Sequence, residues 1–329
     1  MSEGPPLPPG RHLELAGRGQ TFVREQSGPP GAPTVVLLHG WTAGSDLTWF
    51  ACFEPLSHHF RVLSIDHRGH GRGIRTGRRF RLGDCADDVA ALVAAVDPPV
   101  VGPVIVVGYS MGGVVAQLLW RRHRHLVAGL VLCSTSRNFA ESTVERRYFA
   151  ALGGLALASR ATPGPLRRRL ARRVIGRRGI DGPDAEWILD ELHRNDWTAV
   201  LEAGWELGRF DSRPWAGEID VPTAVVATMA DRQVLPRRQL ALAQAIPGAS
   251  VHEVDGPHDA CVTQPERFVP VLVEACRSVA ARATRLRVGA VAHSTRGGSV
   301  VTAGEPPAPT SFSGSSTSLG DARAPEKSP

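Results

Sequence analysis

Lysine is almost absent from this sequence. The 38 basic residues outnumber the 32 acidic residues and give a formal net charge of +6, but only Lys327 is a lysine. An excess of basic residues that consists almost entirely of arginine can arise from GC-rich coding alone. Because no zinc-finger, homeodomain or RNA-recognition pattern accompanies it, the charge does not predict a nucleic-acid partner.

The sequence also lacks the even number of cysteines that a set of disulfide bonds would need. The five cysteines are odd in number and widely spaced, which is typical of buried thiols in a reducing compartment and not of a disulfide framework. The first residues, MSEGPPLPPGRHLEL, contain neither a basic n-region nor an apolar h-region, so no secretory signal is predicted. Both observations favour a cytoplasmic protein.

The sequence shows no metal or dinucleotide motif. His67 and His70 are close together, but they lie in an Arg/Gly turn without cysteines or carboxylates at zinc spacing. The glycines of residues 69–73, GHGRG, lack the register of a dinucleotide-binding loop. We therefore expect no metal and no other cofactor.

Long hydrophobic runs are scarce as well. The uncharged stretch between Asp97 and Arg121 is interrupted by prolines and glycines, so a buried strand, a glycine turn and a buried helix explain it better than a membrane span. With 42% hydrophobic and 21% charged residues, the chain can bury the core of an ordinary globular protein.

The sequence does contain an alternation of strand and helix patterns. A polar strand-like stretch at 13–25 is followed by apolar, β-branched runs beginning with TVVLLHG and recurring at 60–66, 103–109, 128–135, 222–229 and 249–255. Helical patterns lie between or after them at 82–96, 114–123, 237–246 and 265–283. This alternation predicts an α/β fold, a mostly parallel central sheet with helices on both faces, and ligands at the carboxyl ends of the strands.

The alternation stops in the middle of the chain and at its ends. Residues 137–215 contain helical patterns only, which predicts a helical cap inserted into a core made of residues 11–136 and 216–284. The Pro/Gly-rich residues 1–10 are expected to be loose. The Ser/Gly/Pro/Thr-rich residues 285–329 are expected to be a disordered low-complexity tail, since they cannot bury enough apolar area to offset their ordering entropy.

Ser110 stands in one of the most apolar stretches of the chain, VVGYSMGGVV. It forms the centre of a G-x-S-x-G pattern, with Gly108 and Gly112, directly after a predicted strand and before a predicted helix. In this context the pattern predicts a nucleophile elbow, a strained turn whose flanking positions tolerate only small residues. Ser110 is therefore the candidate nucleophile.

A serine nucleophile needs a base and an acid that orients it. Of the twelve histidines, His258 follows the last predicted strand in the loop GPHDA, before the C-terminal helix. Asp231 follows the preceding strand, in TMADRQVLP. A helix-capping Asp231 and a turn-stabilising His258 are the structural alternatives, but the order Ser110, Asp231, His258 at three strand ends favours a triad.

An acyl-transfer site also needs two donors for the developing oxyanion. We expect one to be the backbone N–H of Met111, which follows the nucleophile. The other is expected to be the N–H of Trp41, in the loop after the first long strand. His39 and Gly40 would support this loop, with Gly40 letting the backbone turn towards the site.

The segments LLHGW, SIDHRGHGRG, GYSMGG, ADRQVLP and GPHDA together resemble the α/β-hydrolase superfamily, in its serine esterase and lipase-like branch. The resemblance implies that Asp66, Arg68, Gly69 and Gly71 form a structural turn beside the site. Serine at the elbow separates the chain from branches that use an aspartate nucleophile. The HGW loop and DHRGHGRG are also similar to the cofactor-free perhydrolases once called bacterial haloperoxidases.

These features predict a serine hydrolase that cleaves a carboxylic ester with a hydrophobic acyl or alcohol part. A perhydrolase, a lactonase or C–C hydrolase, and a catalytically silent ligand-binding fold are the alternatives. Acyl length and oligomeric state are not predicted.

The cap sequence from Leu166 to Arg178 places apolar residues at helical spacing, with many arginines between them. It predicts either a weak contact with a membrane surface or a cap helix with a solvated arginine face. Four tryptophans would pack the cap and could also line an acyl pocket: Trp187, Trp197, Trp205 and Trp215.

Overall fold

A computed structural model describes residues 4–175 and 185–296. Contacts group Met1–Val288 into one compact unit, which contains the whole sheet. The second unit, Gly289–Pro329, contributes to the described residues only the end of the last helix. Gly176, Arg177 and Arg178 of the predicted basic cap helix lie outside the described residues.

Eight strands form one sheet in the order β1-β2-β4-β3-β5-β6-β7-β8. The pairs β1–β2 and β2–β4 are antiparallel, and all other pairs are parallel. The predicted strands are confirmed, except that the first polar stretch is a hairpin of two. Their bounds are β1 Gly10–Leu15, β2 Gly19–Gln26, β3 Thr34–Leu38, β4 Arg61–Ile65, β5 Val104–Tyr109, β6 Val127–Cys133, β7 Thr223–Thr228 and β8 Ser250–Val254.

The four helices that the pattern predicted in the core are confirmed; the second begins at residue 111 and not at 114, and the last ends at 296 and not at 283. The short helices after β3 and β8 have no clear periodicity in the sequence. The bounds are α1 Ser45–Trp49, α2 Phe53–Ser57, α3 Leu82–Ala95, α4 Met111–Arg122, α5 Thr143–Ala161, α6 Gly164–Ile175, α7 Ala185–His193, α8 Trp197–Arg209, α9 Pro236–Ala245, α10 Ala260–Thr263 and α11 Pro265–Arg296.

The sheet is buried on both faces, which explains its continuous β-branched runs. Along β3, Val36 and Leu38 pack into the cluster that contains residues of α3 and α4. Val35 and Leu37 point to the opposite cluster, which contains residues of α1, α2 and α11. Burying a side chain of this size contributes about 1.5–3 kcal/mol, so the two clusters hold the sheet that positions the strand ends.

Four described helices, α5 to α8, lie between β6 and β7, where only helices were predicted. Ser142 and Glu145 form a capping box at the start of α5. Glycines let α5 and α8 approach closely, since a methyl group on Gly153 would lie 2.5 Å from the Trp205 ring and one on Gly208 2.2 Å from Phe149.

Both predicted end segments need correction. The N-terminal segment is not loose throughout, because Leu7 packs on the core and the Pro8 carbonyl accepts a hydrogen bond from Arg24. The C-terminal helix α11 continues to Arg296, beyond the boundary predicted at 285. Between 285 and 296 the sequence has no proline and one glycine, and a helical glycine costs only about 1 kcal/mol relative to alanine. Residues 297–329 lie outside the described residues.

All five cysteines are buried and free, as the spacing predicted. Among the described residues, no helix combines the length and the apolar character needed to cross a bilayer.

Candidate active site

Ser110 lies in the turn between β5 and α4, in a backbone conformation that serine rarely adopts. Its φ is 52° and its ψ is −111°. A methyl group on Gly108 would lie 2.3 Å from the Gly112 carbonyl oxygen, and one on Gly112 would lie 2.1 Å from the Leu38 carbonyl oxygen. Both positions therefore require glycine. The turn has the geometry of the predicted elbow, and it places Ser110 at the N-terminus of α4.

The structure brings Ser110, His258 and Asp231 together. His258 Nε2 lies 3.1 Å from Ser110 Oγ, and His258 Nδ1 lies 2.7 Å from Asp231 Oδ2. Asp231 follows β7 and His258 follows β8, so the three side chains meet at the carboxyl edge of the parallel strands. Both distances are hydrogen-bond distances, which allows a proton to pass from the serine hydroxyl to the imidazole.

The Asp231 carboxylate is buried and fully hydrogen-bonded. Oδ1 accepts from the backbone N–H groups of Gln233 and Val234, at 2.8 and 2.9 Å. Oδ2 accepts from Thr228 Oγ1 and Gln239 Nε2, at 3.0 and 3.1 Å, besides facing His258. These donors hold the carboxylate in one orientation. The sequence reading found Asp231 but not Thr228 or Gln239.

Tyr109 is a further positioning residue that the sequence reading missed. Its hydroxyl donates a hydrogen bond to the backbone carbonyl of His258, 149 residues away along the chain. Burial raises the pKa of the Tyr109 phenol well above its ordinary value, so the hydroxyl remains a donor. The residue before Ser110 thus ties the turn that carries Ser110 to the loop that carries His258.

The loop after β3 passes directly beside Ser110, and His39 orients it. His39 Nε2 accepts a hydrogen bond from the His67 N–H at 2.8 Å, which leaves the ring proton on Nδ1. Nδ1 donates it to the Gly40 carbonyl, also at 2.8 Å. This carbonyl and the Trp41 N–H belong to one trans peptide group and point in opposite directions. His39 therefore fixes the direction of the Trp41 N–H.

The cap contacts the same loop through Asn195. Asn195 Nδ2 donates to the Thr42 carbonyl and Asn195 Oδ1 accepts from the Gly71 N–H, both at 2.8 Å. Thr42 has a φ of 68°, which costs a β-branched residue about 1–3 kcal/mol. The strained loop is thus held from the cap side as well as from His39.

The loop after β4 is structural, as its resemblance implied. Asp66 accepts hydrogen bonds from the N–H groups of Ser45 and Arg72, both at 2.7 Å. Arg68 makes a bidentate ion pair with Asp88. A methyl group on Gly71 would lie 2.3 Å from Asp66 Oδ2, so glycine is required there. These contacts support the site without entering it.

Three imidazoles are buried together beneath the loop after β3. The ring centroids of His39 and His67 are 4.4 Å apart, and those of His39 and His70 are 5.5 Å apart. Burial lowers the pKa of His39 to about 4 and that of His70 to about 3, and it lowers the pKa of His67 well below its ordinary value. All three rings are therefore neutral at neutral pH.

The free energy of unfolding is expected to decrease as the pH falls from about 6.5 to about 4. In the unfolded chain these histidines take up protons in this pH range, while in the folded protein the buried rings stay neutral. Each of the three histidines therefore lowers the free energy of unfolding by about 1.4 kcal/mol for every pH unit below about 6.5. The raised pKa of buried Asp66 acts in the opposite sense and offsets part of the loss. Denaturant unfolding at several pH values measures this slope. A stability that stays constant from neutral pH to pH 5 would contradict the burial of three neutral rings.

A pocket of about 490 Å³ opens beside Ser110. Its walls combine polar and apolar groups and come from the core loops and from the cap helices α5 and α7. Asp259 is the only carboxylate among the described lining residues, which include no arginine. Trp41 is the one tryptophan in the described lining. The four cap tryptophans therefore do not line it; Trp215, for example, stacks on Trp120 in the core.

Known proteins resemble this chain over most of its length. The family model of the α/β hydrolase fold matches residues 33–156. A protein from Agrobacterium fabrum, named as the carbamate hydrolase RutD, is 30% identical over 254 residues, covering 72% of this chain and 90% of the relative. A pimeloyl-[acyl-carrier protein] methyl ester esterase from Chromobacterium violaceum is 30% identical over 251 residues, covering 74% and 93%.

A solved structure shows the same likeness. The thermophilic esterase from Thermogutta terrifontis superposes with a TM-score of 0.66 and 26% identity, over 82% of this chain and 99% of its own. A mostly parallel sheet with a strained serine turn at the end of a central strand is the architecture of α/β hydrolases. The protein belongs to the α/β-hydrolase fold family.

Proposed function

We propose that the protein is a serine hydrolase that cleaves a neutral carboxylic ester through an acyl-enzyme intermediate. The observation that carries the proposal is the continuous hydrogen-bonded line from Ser110 Oγ through His258 to the buried Asp231 carboxylate. The relatives named as esterases support ester hydrolysis in general. A catalytically silent binder would have no need for a strained serine beside a base.

In the first half of the reaction, His258 Nε2 accepts the proton of Ser110 Oγ as the oxygen attacks the ester carbonyl. The carbonyl π electrons move to the oxygen, which the backbone N–H groups of Trp41 and Met111 stabilise. When the intermediate collapses, the bond to the alcohol oxygen breaks and His258 protonates the departing alcohol. Ser110 is left acylated.

In the second half, water replaces the alcohol. His258 accepts a proton from the water as its oxygen attacks the acyl carbon, and the same two amides stabilise the oxyanion. Collapse releases the carboxylic acid and returns the proton to Ser110 Oγ. In both halves Asp231 stabilises the imidazolium and keeps its Nδ1–H directed away from Ser110.

The pocket chemistry favours an uncharged substrate. Its walls include Leu47, Ile188, Leu192 and Val262, which can contact a hydrophobic acyl or alcohol group. A substrate carboxylate would lose hydration there, would meet no described arginine, and would face Asp259. We therefore propose neutral esters with a hydrophobic part.

A panel of p-nitrophenyl esters tests this proposal. The kcat/KM for the butyrate ester is expected to exceed that for the hemisuccinate, which carries a carboxylate on an acyl chain of similar length, by at least about tenfold. Esters of increasing acyl length measure the depth of the pocket, and one arm with peroxide compares hydrolysis with perhydrolysis. Equal rates for butyrate and hemisuccinate would contradict the neutral-substrate proposal, and no turnover of any ester would contradict the hydrolase proposal.

A further inference from the structure

Two helices of the cap carry most of the exposed large apolar side chains of the described chain. Ten such side chains are exposed among the described residues, and six of them belong to α5 and α6. These six are Val144, Tyr148, Leu155, Leu157, Leu166 and Leu170. Single exposed apolar residues are ordinary on a protein surface, but a concentration on two consecutive helices marks an interaction surface.

Helix α5 has two apolar sides. Leu152 and Ala156 are buried on the side that packs on α8. Val144, Tyr148 and Leu155 lie at positions i, i+4 and i+11, so they share another side of the helix. Their exposed fractions are 77%, 54% and 56%, and Ala151 between them is also exposed. The described part of the chain therefore leaves more than half of each of these three side chains exposed.

Helix α6 continues the pattern. Leu166 and Leu170, one turn apart, are 49% and 52% exposed, so this apolar side is not packed down onto the described part of the protein. Arg169 and Arg173 of α6 are exposed too, which is compatible with the predicted solvated arginine face, and α6 therefore exposes both arginines and leucines. We refer to Val144, Tyr148, Ala151, Leu155, Leu166 and Leu170 together as the exposed cap face.

The charge beside this face is positive. Arg146 and Arg147 on α5, and Arg169 and Arg173 on α6, are exposed, and α6 contains no acidic residue. The two acidic residues at the start of α5 are already paired, since Arg238 binds Glu141 at 3.1 Å and Glu145 at 2.7 Å. The face thus combines exposed apolar side chains with exposed arginines.

We propose that the exposed cap face docks onto an anionic lipid surface. Apolar side chains can enter the boundary between headgroups and acyl chains while neighbouring arginines attract the anionic headgroups. A second copy of the chain would bring arginines against arginines, which disfavours self-association through this face. Tyr148 belongs both to this face and to the pocket beside Ser110, so docking would place the pocket mouth at the lipid surface.

Vesicle sedimentation tests the proposal. Full-length protein is mixed with vesicles of phosphatidylcholine and phosphatidylglycerol in equal parts, or of phosphatidylcholine alone. Binding is expected with the anionic vesicles only, and it is expected to weaken at high salt because the arginines are exposed. Two variants, V144S/L155S and R147Q/R169Q, should each weaken binding by roughly tenfold or more. Their side chains are exposed, so the melting temperature should not change.

Matched controls replace similar exposed side chains elsewhere. V101S/L286S and R78Q/R277Q should bind the anionic vesicles like the wild type. S110A should also bind like the wild type, because docking does not use the proposed chemistry; failure of one proposal is therefore distinguishable from failure of the other. No binding to anionic vesicles, equal binding to both vesicle types, or unchanged binding of the two cap variants would overturn the proposal. A wild-type dimer that V144S/L155S dissociates would assign the face to a second copy and would also overturn it.

Discussion

Ser110→Ala is expected to lower kcat for ester hydrolysis by at least about ten-thousandfold. The substitution removes the only oxygen within hydrogen-bond distance of His258 Nε2 among the described residues. The melting temperature should stay nearly the same, because the serine hydroxyl has no other described partner and the strained backbone conformation is retained. Initial rates with the best ester of the panel and a thermal melt measure the two effects.

Ser64→Ala is the matched control for this variant. Ser64 lies in β4, and its buried hydroxyl has no hydrogen-bond partner among the described residues. Its loss should leave kcat within a few-fold of the wild type. A fluorophosphonate probe should label the wild type and Ser64→Ala but not Ser110→Ala. Near-wild-type turnover by Ser110→Ala would place the nucleophile elsewhere, and an unlabelled folded wild type would favour a silent binder.

Asp231→Asn is expected to lower kcat by roughly a thousandfold to ten-thousandfold while leaving KM within a few-fold. The amide keeps the shape of the carboxylate, but it cannot balance the charge of the imidazolium, and an amide N–H facing His258 Nδ1 selects the wrong tautomer. The loss should therefore appear in kcat for short and long acyl esters alike. Steady-state kinetics over the ester panel measure the split between kcat and KM.

Asp255→Asn is the control for the charge change. Asp255 precedes His258 in the same loop, but its side chain is 89% exposed and pairs with Arg267. Its kcat should match that of the wild type. If Asp255→Asn and Asp231→Asn lost activity to the same extent, the effect would belong to the loop and not to the carboxylate that faces His258.

Local patterns in the sequence predicted the frame of the site. Strands buried on both faces read as continuous β-branched runs, so the order of strands and helices could be recognised without knowledge of their partners. Because parallel strands end at one edge of the sheet, Ser110, Asp231 and His258 could be expected to meet there. The required glycines, Gly108 and Gly112, follow from the steric demands of the elbow.

The long-range hydrogen bonds that hold the loops of the site in place could not be predicted in the same way. The hydrogen bond from Tyr109 to the His258 carbonyl and the bridge from Asn195 to the Thr42 loop join residues that are 149 and 153 positions apart. Neither has a local signature, because a carbonyl acceptor looks the same at every residue. The positive φ of Thr42 likewise depends on tertiary contacts that outweigh the preference of a β-branched residue.

Burial was the other property that the sequence left undecided. Amphipathic spacing showed that α6 has an apolar side, but the same spacing is compatible with a buried or an exposed helix face. Only the packing of α5 on α8, together with the exposure of Leu166 and Leu170, shows which sides of the cap are uncovered. Likewise, Trp41 and not a cap tryptophan lines the pocket. Periodicity is a property of one helix or strand, whereas burial depends on which distant element packs against it.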